Sequence, residues 1–293
     1  MRYAYYESCS LPEMGKEYQV SLQYCCQKLN IELVKLQDWM CCGSTMTHHN
    51  SRLLATALPM RNLMAAQKAG FDTMVVPCSA CYARMKTAQH EYQTDSRIKA
   101  QIEEILEYQF SRPVRVIHPL ELFSDPEVLA KIKTAEKTKI GKIKVASYYG
   151  CLLVRPPQTI GFGDDTEYPM NMDTILQAAG YKTVDWSYKT ECCGGYFTTV
   201  RPGWVKEMSL KVFDNAKACG AEVIANPCIF CQTNLDTRQK AIEKEYRKQY
   251  GMPVVYFTQL LALALGATYE EMLFKYHFVS PREVAQKVVS HDK

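Results

Sequence analysis

Val223-Ile224-Ala225-Asn226-Pro227-Cys228-Ile229-Phe230-Cys231 is a short apolar run, stopped by proline and followed at once by a CxxC pair. Proline cannot donate to a sheet ladder, so a strand here must end before Cys228. Thr73-Met74-Val75-Val76-Pro77-Cys78-Ser79-Ala80-Cys81 shows the same pattern 150 residues earlier. Upstream of each, Cys41-Cys42-Gly43 and Cys192-Cys193-Gly194 stand 151 residues apart, and the lone Cys9 and Cys151 stand 142 apart. The chain of 293 residues therefore reads as a duplication, with a lone Cys, CCG and CxxC in the same order twice. One insertion of nine residues accounts for the shorter offset and falls in the loop-like stretch from Arg155-Pro156-Pro157 to Pro169.

The flanks repeat as well. Tyr3-Ala4-Tyr5-Tyr6 before Cys9 matches Val145-Ala146-Ser147-Tyr148-Tyr149 before Cys151, both of strand type. Val34 and Thr183-Val184 mark weaker strands ahead of the CCG motifs. Glu17 to Leu29, with Val20, Leu22 and Tyr24, has a helical pattern, as do Leu53 to Ala69 and Val205 to Ala218, which end near Gly70 and Gly220. This alternation predicts an α/β chain of two pseudo-symmetric repeats. Each repeat is a small, mostly parallel sheet flanked by helices. Its cysteines lie on the loops at strand C-termini, where open α/β sheets place ligands. The expected division is a first cysteine-rich repeat over 1–124, a linker over 125–144 and a second repeat over 145–293. Lys131, Lys133, Lys137, Lys139, Lys142 and Lys144 give the linker the look of a solvated face.

Composition narrows the class. Apolar residues make up 47% and charged residues 23%, enough for a core and too ordered for a disordered chain. A net charge of +4, from 35 basic and 31 acidic residues, gives no general affinity for nucleic acid. Thirteen cysteines invite either disulfides or metal. MRYAYYESCS has neither the basic start nor the apolar run of a signal peptide, and Leu260 to Leu265 is too short to span a bilayer. The expectation is reduced thiols in a cytoplasmic protein with no membrane span.

Five motif cysteines per half exceed the four ligands of structural zinc, and each half has only one CxxC. An iron–sulfur cluster is held by thiolates and has several irons to ligate, so a fifth sulfur has a place. Consecutive Cα atoms lie about 3.8 Å apart, so a Cys-Cys pair reaches neighbouring irons more readily than it shares one small ion. The following glycine lets the backbone bend close. Iron–sulfur binding is the favoured reading, with zinc or a redox dithiol as the alternatives. Cys25, Cys26 and Cys219 lie outside the repeat and read as packing residues.

The motifs resemble the CCG domain, the cysteine-rich signature of the B subunits of heterodisulfide reductases. The likeness rests on Tyr148-Tyr149-Gly150-Cys151-Leu152-Leu153-Val154-Arg155-Pro156, on Lys189-Thr190-Glu191-Cys192-Cys193-Gly194, and on the run from Pro227-Cys228 to Asn234-Leu235-Asp236. Pro253-Val254-Val255-Tyr256-Phe257-Thr258-Gln259-Leu260-Leu261 and Lys275-Tyr276-His277-Phe278-Val279-Ser280-Pro281 extend it to the C-terminal region. The resemblance implies two non-cubane [4Fe-4S] clusters. One would be held by Cys9, Cys41, Cys42, Cys78 and Cys81, the other by Cys151, Cys192, Cys193, Cys228 and Cys231. It implies reductive cleavage, or formation, of a disulfide such as that of coenzyme M with coenzyme B between the two clusters. The implied partners are the ferredoxin-like and the flavin-bearing subunits of a heterodisulfide reductase complex. The sequence has no GxGxxG or P-loop pattern to bind flavin or nucleotide itself. Ser8 stands where the second half has Gly150, which leaves open whether the first loop keeps the geometry of the second. The alternative is a non-catalytic electron-transfer or anchoring component of a respiratory complex such as a succinate or fumarate reductase. His48 and His49 are candidate proton donors, and Arg84, Arg155 and Arg201 are candidate anion clamps, each weighed against an ordinary surface role.

Overall fold

The computed structural model describes residues 1–44, 47–135, 140, 143–162 and 165–289. The first half runs β1 (Arg2–Tyr5), α1 (Leu11–Met14), α2 (Lys16–Lys28), β2 (Glu32–Lys35), α3 (Thr47–Asn50), α4 (Arg52–Lys68), β3 (Thr73–Val75), α5 (Ser79–Thr94), α6 (Ser96–Leu106), β4 (Arg115–Ile117), α7 (Pro119–Ser124) and α8 (Pro126–Thr134). The second runs β5 (Lys144–Ser147), α9 (Pro157–Ile160), α10 (Asn171–Ala178), β6 (Lys182–Thr183), α11 (Pro202–Ala218), β7 (Val223–Asn226), α12 (Ile229–Tyr246), β8 (Val254–Tyr256), α13 (Phe257–Ala264) and α14 (Arg282–Val289).

The strands form two four-stranded sheets, ordered β2-β1-β3-β4 and β6-β5-β7-β8, with every pairing parallel. The α/β reading with two sheets flanked by helices is correct. Helices cover both faces, so a central strand is buried throughout rather than alternating, and Val223, Ile224, Ala225 and Asn226 are all buried. The register Ala146↔Ile224 corresponds to Ala4↔Met74 in the other sheet.

In each sheet the chain leaves the first strand toward one edge and returns on its other side. This puts the topological switch between β1 and β3, and between β5 and β7. The carboxyl ends of these strand pairs open the crevice in which such sheets bind ligands.

One apolar cluster spans both halves, and a second lies within the second half. Helix α2 packs on α13, and α10 packs on α7, which are the same contact with the halves exchanged. The apolar cluster runs without interruption from Leu22 and Cys25 to Phe257 and Leu261. Ser21 Oγ and Thr258 Oγ1 lie 2.6 Å apart across the first contact, and Asn171 Nδ2 donates to Ser124 Oγ at 3.2 Å across the second. Cys25 and Cys26 are buried here, where Cys25 Sγ meets the Thr258 carbonyl at 3.4 Å. Burial pushes the Cys26 thiol up to about 12, so it stays protonated and apolar. Cys219 is half-buried at the end of α11.

Part of the lysine-rich 125–144 stretch is structured. Helix α8 buries Val128 and Ile132 and packs on α10. Lys137, Lys139 and Lys142 lie outside the described residues.

Candidate metal centres at the strand ends

The ten motif cysteines gather as two groups of five. In the first, Cys9 follows β1, Cys41 and Cys42 follow β2, and Cys78 and Cys81 open α5 after β3. The Sγ atoms of Cys9 and Cys41 are 4.0 Å apart, and those of Cys42 and Cys81 are 3.1 Å apart. Side-chain contacts from Cys41 to Cys42 and from Cys81 to Cys78 complete the string. In the second group, Cys151 and Cys192 are 3.7 Å apart, Cys193 and Cys231 are 3.4 Å apart, and Cys231 contacts Cys228. None of the thirteen cysteines is in a disulfide. Among the described residues no three His, Cys, Asp or Glu side chains close around a single-ion position. The sulfurs make strings of pairs rather than one small shell.

In each nest some thiols are pushed toward the thiolate while the neighbours that donate to them, Cys41 and Cys81 in the first and Cys151 and Cys231 in the second, are held protonated. The Cys42 thiol is lowered to about 4 by its bonds from Cys41 and Cys81, with the Ser44 N–H also contributing against the cost of burial. Cys192 is lowered to about 6 by Cys151 and by the N–H groups of Gly194 and Gly195. Cys228 is lowered to about 7, first by Cys231. Both CxxC motifs start a long helix, with Cys78 and Cys228 at the N-cap positions of α5 and α12. The positive end of the helix dipole stabilises a thiolate there.

Matching clips hold the two CCG loops. Tyr6 Oη donates to the Met40 carbonyl at 2.8 Å, and Tyr148 Oη to the Glu191 carbonyl at 2.6 Å. The N–H of Gly43 points at Cys41 Sγ (3.5 Å) and that of Gly194 at Cys192 Sγ (3.3 Å). Both glycines have left-handed backbones, with φ +73° and +81°. A Cβ on Gly43 would lie 2.3 Å from Thr47 Oγ1, so the close turn excludes a side chain. Ser8 adopts φ 61°, against 66° for Gly150, so the two positions before the lone cysteines share a left-handed φ.

The two nests adjoin. Ser79 Oγ, inside the first CxxC, donates to the Pro227 carbonyl just before the second, at 3.2 Å. His118 caps α7: its Nδ1 accepts the Leu120 N–H at 3.2 Å, which leaves the proton on Nε2. Nε2 then reaches the Pro77 carbonyl at 3.0 Å and also interacts with that of Pro227. One buried imidazole thus ties together the two carbonyls that precede the CxxC motifs. Burial lowers it to about 3, so it is neutral. Behind the second nest, Lys189 Nζ and Asp173 Oδ2 form a buried ion pair at 2.9 Å, and Tyr149 Oη donates to the same carboxylate at 3.0 Å. The Lys189 carbonyl accepts the N–H groups of Tyr149 and Gly150, at 2.7 and 3.1 Å, which fixes the approach to Cys151.

Sequence reasoning missed Ser79, His118, Asp173 and Lys189. Only His118 carries a local signal, since His118-Pro119-Leu120-Glu121 reads as a capping box. The singled-out arginines separate. Arg155 is committed to Glu167, with bonds of 2.8 and 2.9 Å, and Arg201 lies over the Trp204 ring at 5.6 Å. Of the three, Arg84 alone has a buried Nε without a hydrogen-bond partner among the described residues. His49 is exposed on α3, and the side chain of His48 lies outside the described residues.

Residues 3–86 and 145–236 each match the cysteine-rich domain family, CCG. A chain that is 30% identical over 293 residues, covering 97% of this chain and 95% of its own, is the B subunit of a ferredoxin/F420H2-dependent CoB-CoM heterodisulfide reductase from Methanosarcina acetivorans. The protein belongs to the family of heterodisulfide reductase B subunits. The chain is also similar to the membrane anchor subunit of an 8-methylmenaquinol:fumarate reductase from Wolinella succinogenes, at 26% identity over 92% of this chain and 94% of the other. A solved hypothetical protein from Helicobacter pylori shares the fold alone, with a TM-score of 0.70 and 10% identity. It aligns with 95% of this chain, which spans about half (52%) of that protein's length. Among the described residues no helix is long and apolar enough to cross a membrane.

Proposed function

We propose that this chain is the iron–sulfur catalytic component of a heterodisulfide-reductase-like complex in the cytoplasm. Cys9, Cys41, Cys42, Cys78 and Cys81 hold one [4Fe-4S] cluster of the non-cubane type. Cys151, Cys192, Cys193, Cys228 and Cys231 hold the second. The repeats over 1–124 and 145–293 each contribute one nest, with 125–144 between them. When bound, the clusters supply the two electrons that, with two protons, convert one disulfide to two thiols.

The donor set fits such a group. Five sulfurs per nest sit beside N–H groups aimed at Sγ, and each nest lies at a helix N-terminus. Ser10 Oγ (3.9 Å from Cys78 Sγ) and Asn234 Nδ2 (3.9 Å from Cys193 Sγ) add further donors. These stabilise negative charge on sulfur and orient the ligands. The observation that carries the reading is the Ser79 to Pro227 bond of 3.2 Å, supported by His118, which joins the two CxxC turns back to back. Two redox groups so placed suit a two-electron step on one small molecule. Electrons reach the chain from a ferredoxin-like partner, itself served by a flavin-bearing one.

The fumarate reductase relative favours a second reading, an electron-transfer or anchoring component without chemistry of its own. Anaerobically purified protein, given reduced viologen and the heterodisulfide of coenzymes M and B, separates the two. The proposal expects two thiols per disulfide over many turnovers. Reduction of the protein without thiol release sinks it and supports the second reading.

A further inference from the structure

The two repeats differ at the position three residues after the CxxC, one turn along the helix on the same face. In the second repeat this is Asn234, and it is fully engaged. Its Nδ2 reaches the Cys193 carbonyl at 3.2 Å, and its Oδ1 accepts Thr198 Oγ1 at 2.9 Å and Arg238 Nε at 3.4 Å. In the first repeat it is Arg84. That guanidinium is half-buried and its Nε is out of solvent without a partner among the described residues. A buried donor left unpaired costs about 1–3 kcal/mol, and more on a charged group, unless something arrives to accept from it.

The charge of Arg84 reaches a tyrosine of the other half, Tyr196. The charges of Arg84, Cys151 and Cys228 all bear on the Tyr196 hydroxyl. The Tyr196 ring stacks on Phe230, inside the second CxxC, at 6.3 Å between centroids. Tyr196 also lines a shallow pocket whose wall includes all five cysteines of the second nest. It is 45% exposed, so this corner is open to an incoming molecule.

We propose that Arg84, with the Tyr196 hydroxyl, is the subsite for a fixed anionic group on the disulfide substrate, and that it orients the molecule with its charged end toward the first nest. This rests on the disulfide-reducing reading above. Arg84 suits the task because a guanidinium binds a sulfonate, carboxylate or phosphate with a planar fork of donors. The matching place in the second half is Asn234, already saturated, so the site is asymmetric and the two sulfurs of a substrate are distinguished. Arg84 and Tyr196 are specificity residues.

The test uses two disulfides with the same skeleton, bis(2-sulfonatoethyl) disulfide and the neutral bis(2-hydroxyethyl) disulfide. Calorimetry on the oxidised holoprotein measures their binding without electrons, and viologen-driven turnover measures KM and kcat. Arg84→Gln is expected to weaken binding and raise KM for the sulfonate about 10- to 100-fold more than for the neutral disulfide, with kcat changing less. Arg84→Lys restores part of this, and Tyr196→Phe gives a smaller shift of the same sign and remains informative should Arg84→Gln not fold. Equal losses for both disulfides, or no loss of sulfonate binding in either variant, overturn the proposal. Binding that depends on Arg84 without any thiol release from wild type leaves the anion subsite standing and refutes the disulfide-reducing reading instead.

Discussion

The first and second nests are built from the same sulfur pattern but are held by different means. Tyr6 and Tyr148 clip the CCG loops in the same way. Behind those clips the first half uses neutral bonds: Asn62 Oδ1 accepts the Met40 N–H at 2.9 Å and its Nδ2 donates to the Met40 carbonyl at 3.0 Å. The second half uses the buried Lys189–Asp173 pair. The first nest is also more open, with Cys9 and Cys41 exposed where Cys151 and Cys192 are half-buried. Duplication has kept the cysteines, the tyrosine clips and the glycine N–H groups aimed at sulfur, while the other supports and surroundings have diverged.

The supports should therefore fail unequally. Asp173→Asn leaves a buried ammonium without its counter-charge and is expected to cost about 3–5 kcal/mol in urea unfolding. Asn62→Ala, which frees only neutral backbone groups, is expected to cost about 1–3 kcal/mol. Equal losses would show that the two supports are energetically alike. Gly150→Ala forces a side chain into a left-handed position 2.9 Å from Cys231 Sγ, so a loss of about 1–2 kcal/mol is expected, with Cys231 displaced. Ser8→Gly, at the matching position that already tolerates a side chain, should stay within about 1 kcal/mol of wild type in the same assay.

The histidines give the finest distinction. His118 in the first half and His277 in the second are lowered by burial to about 3 and about 4. Both are neutral in the fold, whereas the unfolded chain takes up their protons below about pH 6.5. Stability therefore falls as pH drops from about 6.5 toward 4, by about 1.4 kcal/mol per pH unit for each histidine. His118→Gln should remove one histidine's share of that slope, and an unchanged slope would mean that His118 is protonated in the native state.

Much of this was legible in the sequence. The strands before Pro77 and Pro227 announce themselves because proline ends the ladder, and the helix read from Leu53 to Ala69 is Arg52–Lys68 in the structure. Motif spacing named the ten cysteines that converge. The two-residue β6 left only a faint signal, because a pair of residues shows no period. Helix α8 was hidden among lysines, since its burial rests on two residues, Val128 and Ile132, meeting α10. Asp173 and Lys189 could not be paired in advance, because they meet only through the tertiary fold. Arg84 looked like Arg155 and Arg201 until the structure supplied the latter two with their partners.

The central claim is that each repeat carries its own multi-iron group on its own five sulfurs. Iron and acid-labile sulfide per chain, measured on anaerobically purified wild type and on Cys42→Ser with Cys81→Ser, and Cys193→Ser with Cys231→Ser, test it most directly. Two independent four-iron groups predict about eight irons in wild type and about four in each double variant, with different residual spectra. Stoichiometric zinc, or iron that vanishes entirely in either double variant, would contradict it.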